Sequence, residues 1–172
     1  MESTPQNKGF SLIELLIVVA IILIIATIAI PSLLRARISA NESSAVSTVR
    51  QISTAEIAYQ SAYTSVGFSP DLASLGGPVS GCMPSQTTAC ILDSAVSAGA
   101  KSGYQFVAAG FTNGGTLNST FVASAAPLTF DKSGSRNFCV ATDTGVLRAI
   151  GGAAGLPPAP DVPTCLAYPV MQ

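Results

Sequence analysis

The chain has 172 residues, with 8 Lys or Arg, 9 Asp or Glu and no His, so only 10% are charged while 48% are hydrophobic. A net charge of −1 offers no electrostatic footprint for nucleic acid, whose binders gather Lys and Arg on one face. The lack of His removes the commonest general base and transition-metal ligand, so the composition argues against a soluble cytosolic enzyme and for a membrane-spanning piece.

Residues 1–9 (MESTPQNKG) are short and polar. Phe10–Ile30 then gives 21 residues with one charge, Glu14, and an unbroken apolar run from Leu15 to Ala26. As a helix this stretch is about 31 Å long, which matches a hydrocarbon core of ~30 Å. Residues 31–63 are mixed in composition but still helical in pattern. Ile38, Ala45, Val49, Ile52, Ala55, Tyr59 and Ala62 recur at helical spacings on one stripe, with Arg35, Arg37, Glu42, Arg50 and Gln60 largely off it. No Gly interrupts Phe10–Tyr63, so a single helix of about 80 Å is expected. Pro31 should bend it, because its ring displaces the carbonyl of Thr27 and it donates no N–H. Two helices broken at Pro31 are the alternative.

From residue 64 to 172, Gly and Pro punctuate short apolar runs. Tyr104–Thr112 and Thr120–Ala125 flank Asn113-Gly114-Gly115, and Asn137–Thr142 and Val146–Ile150 flank Asp143-Thr144-Gly145, two hairpin signals. Roughly four antiparallel strands follow, with the helical stripe covering one face, which makes an α+β fold. The Gly151–Gln172 tail, with five Pro, is expected to be irregular but tied down. The Gly67–Lys101 stretch yields no assignment.

Cys82, Cys90, Cys139 and Cys165 all follow the apolar segment, none in a C-x-x-C pair. Without His to complete a zinc site, an even count beyond a membrane span suggests disulfides in an oxidising space. Three pairings are possible. Cys82–Cys90 with Cys139–Cys165 closes the shortest loops, for roughly 2.5 and 3.5 kcal/mol in the chain-entropy estimate.

Three accounts of the N-terminal zone compete. A secretory signal peptide needs a basic start, a shorter apolar core and a small-residue cleavage site, and none of these is met. A plain anchor leaves Glu14 unexplained. Arg35 and Arg37 also outnumber Lys8, so the charge rule does not favour an external C-terminal domain. The third account covers both Glu14 and the sharp polar-to-apolar edge. Lys8-Gly9-Phe10-Ser11-Leu12-Ile13-Glu14-Leu15 resembles the processing site of class III signal peptides, found on type IV pilins and pseudopilins.

The resemblance covers about residues 7–63, including Pro31 at a place where such helices commonly carry proline. It implies cleavage after Gly9 by a prepilin peptidase and methyltransferase, N-methylation of Phe10, and pairing of Glu14 with the Phe10 amine of a neighbouring subunit. It also implies residues 1–9 as a cleaved leader, 10–30 as transmembrane and filament-core helix, 31–63 as the amphipathic half, and 64–172 as the globular region. The expected partners are further copies of the chain, the inner-membrane assembly machinery and the membrane. The expected location is the bacterial inner membrane, then an extracellular filament. A pseudopilin of a type II secretion system is the alternative, disfavoured by the absence of Trp and of an Asp-rich calcium loop. A membrane-tethered binding domain or enzyme is the third, weakened by the lack of any nucleophile–base pair.

Remaining signals are weaker. Asn41-Glu42-Ser43 and Asn118-Ser119-Thr120 match the glycosylation sequon, which arises readily by chance. Gly151-Gly152-Ala153-Ala154-Gly155 lacks the strand-to-helix context of a phosphate loop, and Asp131, Asp143 and Asp161 are too dispersed for calcium. No metal or cofactor is expected.

Overall fold

The computed structural model describes residues 10–142, 145 and 147–171. The leader, with Gly9, lies outside the described residues, as do Asp143, Thr144 and Val146 of the second expected hairpin. By its internal contacts the chain forms two units that divide between Ala36 and Arg37.

One helix, α1, runs Leu12–Ala62 with Pro31 inside it, so the expected single helix is continuous through the proline. In the second unit its buried residues are Glu42, Ala45, Thr48, Val49, Ile52, Ala55, Glu56 and Tyr59. The apolar members of the expected stripe are there, except that Ile38 is only half-buried and Ala62 is exposed. Glu42 corrects the sequence reading. The apolar pattern puts it largely off the stripe, yet positions 42, 49 and 56 repeat every seven residues on the buried face, so the stripe contains two carboxyls. Full burial of Val49 and Ile52 contributes about 1.5–3 kcal/mol each.

The sheet has five strands rather than four: β1 Ala100–Lys101, β2 Tyr104–Thr112, β3 Asn118–Pro127, β4 Arg136–Ala141 and β5 Arg148–Gly151. They form an antiparallel meander in the order β1-β2-β3-β4-β5. The added β1 pairs only Ala100 with Gln105 and Lys101 with Tyr104, too short a run for a periodic signal. Alternation assigns the faces. Tyr104, Phe106 and Ala108 of β2, Phe121, Ala123 and Ala125 of β3, and Phe138 and Val140 of β4 join the helix residues in one core.

Val122, Cys139 and Ala141 point the other way, into a smaller cluster with Ala159, Cys165 and Tyr168 of the tail. The tail is therefore a second cover. It contains a short helix, α3 Val162–Leu166, where only irregular chain was expected. Asp161 caps it by accepting Thr164 N–H at 2.8 Å, with Pro163 in its first turn. A comparable cap, Asp93 accepting Ala95 N–H at 2.8 Å, starts α2 Ser94–Ser97.

The Cys82–Cys90 bond closes a loop between α1 and β1, and Cys139–Cys165 ties α3 to β4. The 66–68 segment is clasped by Asn118. Asn118 donates its backbone N–H to the Val66 carbonyl and its Nδ2 to the Phe68 carbonyl, and its own carbonyl accepts Phe68 N–H. Gly67 sits inside this clasp at φ +86°, a backbone state that costs an L side chain about 1–2 kcal/mol.

Candidate functional site

In the first unit, the site predicted from sequence is the start of α1. Phe10 is 82% exposed. Ser11 precedes the helix, and Glu14, three residues on, reaches back so that its Oε2 accepts Ser11 N–H at 2.9 Å. This S-x-x-E arrangement is half of a capping box: a carboxylate satisfies an N–H that the helix cannot, beside the positive end of the helix dipole. Oε1 of Glu14 has no hydrogen bond among the described residues.

Beyond Glu14, Leu15, Leu16, Ile17, Ile21, Ile24 and Ile28 are all exposed, and so is every other large apolar side chain from Leu12 to Leu34. Such an all-round apolar surface is suited to hydrocarbon or to other helices of the same kind, not to water. Thr27, the polar interruption, directs its Oγ1 to the Ile24 carbonyl at 2.7 Å, so its hydroxyl needs no outside partner. Among the described residues this is the one helix long and apolar enough to cross a membrane.

In the second unit, two carboxyls dominate the polar chemistry, and the sequence reading singled out neither as a site. Glu42 is 6% exposed. Its Oε1 accepts Ser135 N–H at 2.9 Å and Ser135 Oγ at 2.7 Å, and its Oε2 accepts Arg136 Nε and Nη2 at 2.9 and 2.7 Å. Burial pushes its pKa up, but the bonds from Ser135 and Arg136 and the guanidinium charge outweigh burial and hold it below the ordinary value. Glu56 is fully buried and hydrogen-bonds Ser69 through both oxygens. The available signal was spacing: an acid on a buried heptad row calls for a partner elsewhere in the chain.

A groove of about 650 Å³ runs along α1 past Val46, Arg50, Thr54 and Ala58, with Ile91 and Asp93 opposite. Its polar lining includes the Ser43, Ser47 and Thr54 hydroxyls and the Asp93 carboxylate, the last of which accepts Ala95 N–H as a helix cap. Among the described residues no three metal-ligating side chains cluster.

Comparison with known proteins bears on the N-terminal site. Residues 4–30 match the family model described as the prokaryotic N-terminal methylation motif. Over 74 residues the chain is 38% identical to "Type IV major pilin protein PilA" of Myxococcus xanthus (strain DK1622), covering 39% of this chain and 34% of that protein. The chain thus spans about a third of the length of the curated relative it matches. No solved structure matches it. The motif and the relative together support the type IV pilin family.

Proposed function

We propose that this chain, which carries the prokaryotic N-terminal methylation motif, is a structural subunit that is processed and then polymerises into a type IV pilus. The observation that carries this reading is the Phe10–Leu34 surface, apolar on every side and preceded by the methylation motif. In the precursor that helix anchors the chain in the inner membrane. In the filament the same surface packs against copies of itself, so no apolar area is left in water. The relative's name, a type IV major pilin, agrees with this reading over the aligned segment.

Hydrolysis of the Gly9–Phe10 bond by the prepilin peptidase would free the Phe10 amine, and N-methylation keeps it cationic. An unpaired carboxylate in hydrocarbon costs a few kcal/mol. Glu14, whose Oε2 accepts Ser11 N–H while Oε1 has no hydrogen bond among the described residues, would receive a neighbour's amine in this reading and so fix the axial step between subunits. The chain's role is to assemble rather than to catalyse. Pro31, inside α1, is where we expect the helix to flex between its membrane and amphipathic halves.

The test is intact mass and N-terminal peptide analysis of protein sheared from the cell surface. A chain starting at methylated Phe10 and lacking four protons for two disulfides is expected. An uncut Met1, or a cut after Ile30, would overturn the reading. The processed chain found only in the envelope would replace it with the pseudopilin.

A further inference from the structure

Glu56 is 0% exposed and lies on the core face of α1. Its Oε2 accepts Ser69 N–H at 2.8 Å, and its Oε1 stands 2.6 Å from Ser69 Oγ. Ser69 Oγ in turn lies 3.1 Å from the Asp71 carbonyl, and the Ser69 carbonyl accepts Gly110 N–H of β2 at 2.7 Å. One side chain on the helix therefore holds the segment after Gly67, and that segment holds the sheet.

Among the described residues, the titratable groups whose charge acts with that of Glu56 are Asp71, whose Oδ1 accepts Ser74 N–H and Oγ, and Tyr59 on its own helix. The sheet residues of this core, Phe106, Ala108 and Phe121, carry no charge. The ion pair among the described residues belongs to Glu42 and Arg136, not to Glu56. As a carboxylic acid Glu56 is fully satisfied: Oε1–H donates to Ser69 Oγ, whose own proton goes to the Asp71 carbonyl, while Ser69 N–H goes to Oε2. As a carboxylate it must recruit the Ser69 proton away from Asp71, and it leaves a net charge in an apolar core against neutral donors only.

We infer that Glu56 and Ser69 form a proton-gated latch, which closes the 67–75 segment onto α1 and β2 when Glu56 is a carboxylic acid and loosens it when the carboxyl ionises. Burial pushes this carboxyl up to about 7, with the Ser69 bonds lowering it in part and the Asp71 charge raising it. The folded value is raised, so the stabilisation is complete below the ordinary carboxylate value and is lost as pH rises through about 7.

The experiment is amide exchange at Ser69 and Gly110 in the full-length chain in detergent, corrected for the intrinsic pH dependence of exchange. The opening constant is expected to rise roughly tenfold per pH unit between about 5 and 7 and to level off above that. Glu56→Gln, neutral at every pH, is expected to abolish the slope. A flat profile in the native chain, or an unchanged slope in the variant, would overturn the latch. Infrared spectroscopy of the native chain needs no variant. One protonated-carboxyl stretch present near pH 6 and gone by about pH 8 supports the latch, and its absence near pH 6 overturns it.

Discussion

Arg136 places Nε and Nη2 on the same oxygen of Glu42, at 2.9 and 2.7 Å, across 94 residues of chain. With Ser135 holding the other oxygen, this joins the middle of α1 to the first residue of β4. Two heptads further along α1, Glu56 occupies the same row with hydroxyl and amide partners but, among the described residues, no cation. The two acids therefore respond to pH in opposite directions.

Arg136→Ala should leave Glu42 buried against Ser135 alone and cost about 1–3 kcal/mol, at the low end because the arginine side chain is 46% exposed. For a chain of this size that is a fall in Tm of a few degrees. Glu42 is held below its ordinary pKa, so its contribution is present above the ordinary carboxylate value and is lost as pH falls through the depressed one. Glu42→Gln should flatten that acid limb. Urea titrations from about pH 6 to about pH 3 check it.

The opposite signs predict a maximum of Tm in mild acid, with a decline toward neutrality as Glu56 ionises. Thermal melts of the native chain across pH should show it, and Glu56→Gln should remove the decline while keeping the acid limb. Equal Tm at pH about 5 and about 8 in the native chain would contradict the assignment.

Gly67→Ala should be among the most damaging small substitutions. A Cβ there runs into the Asn118 carbonyl at a backbone angle that L residues avoid. A loss of about 2 kcal/mol or more is expected, read as a Tm lower by roughly 5 °C. Gly114→Ala, where nothing lies near the added Cβ though φ is also positive, should cost only about 1 kcal/mol.

Removing Cys139–Cys165 should cost about 3–4 kcal/mol, against about 2.5 for Cys82–Cys90, because its loop is longer. It should also free the tail from the second face of the sheet, where Ser124 donates to the Ala159 carbonyl at 2.8 Å. Limited proteolysis of the Cys139→Ser, Cys165→Ser double variant should cut first within residues 152–171. Equal losses for the two bonds would count against the loop-length account.

Glu14→Gln should leave membrane insertion intact but lower filament yield, by roughly tenfold if the pairing offsets about 1.4 kcal/mol per subunit contact. Quantifying sheared filament against the membrane pool decides it. Normal yield would mean that Glu14 serves only its own helix start.

What the chain reveals without a structure is what depends on near neighbours. Phe10–Ile30 declares itself by uninterrupted apolar composition, the Gly9-Phe10…Glu14 motif by spacing, and Tyr104–Thr112 by a β-rich run ending at Asn-Gly-Gly. Each of these needs only local geometry and the water-to-apolar transfer preference. The Asp161-x-Pro163 start of α3 is equally local, but the surrounding prolines mask it.

The two acids on α1 are of another kind. Nothing near Glu42 or Glu56 in sequence says whether its charge is paired. Glu42 acquires a cation 94 residues away, and Glu56 hydrogen-bonds Ser69, 13 residues away. The tail's place on the far face of the sheet, through Cys139–Cys165 and Tyr168, likewise arises only once β3 and β4 stand side by side. Burial of a polar group is set by which distant donors reach it, so tertiary packing alone decided which carboxyl on this helix meets a guanidinium and which meets a serine.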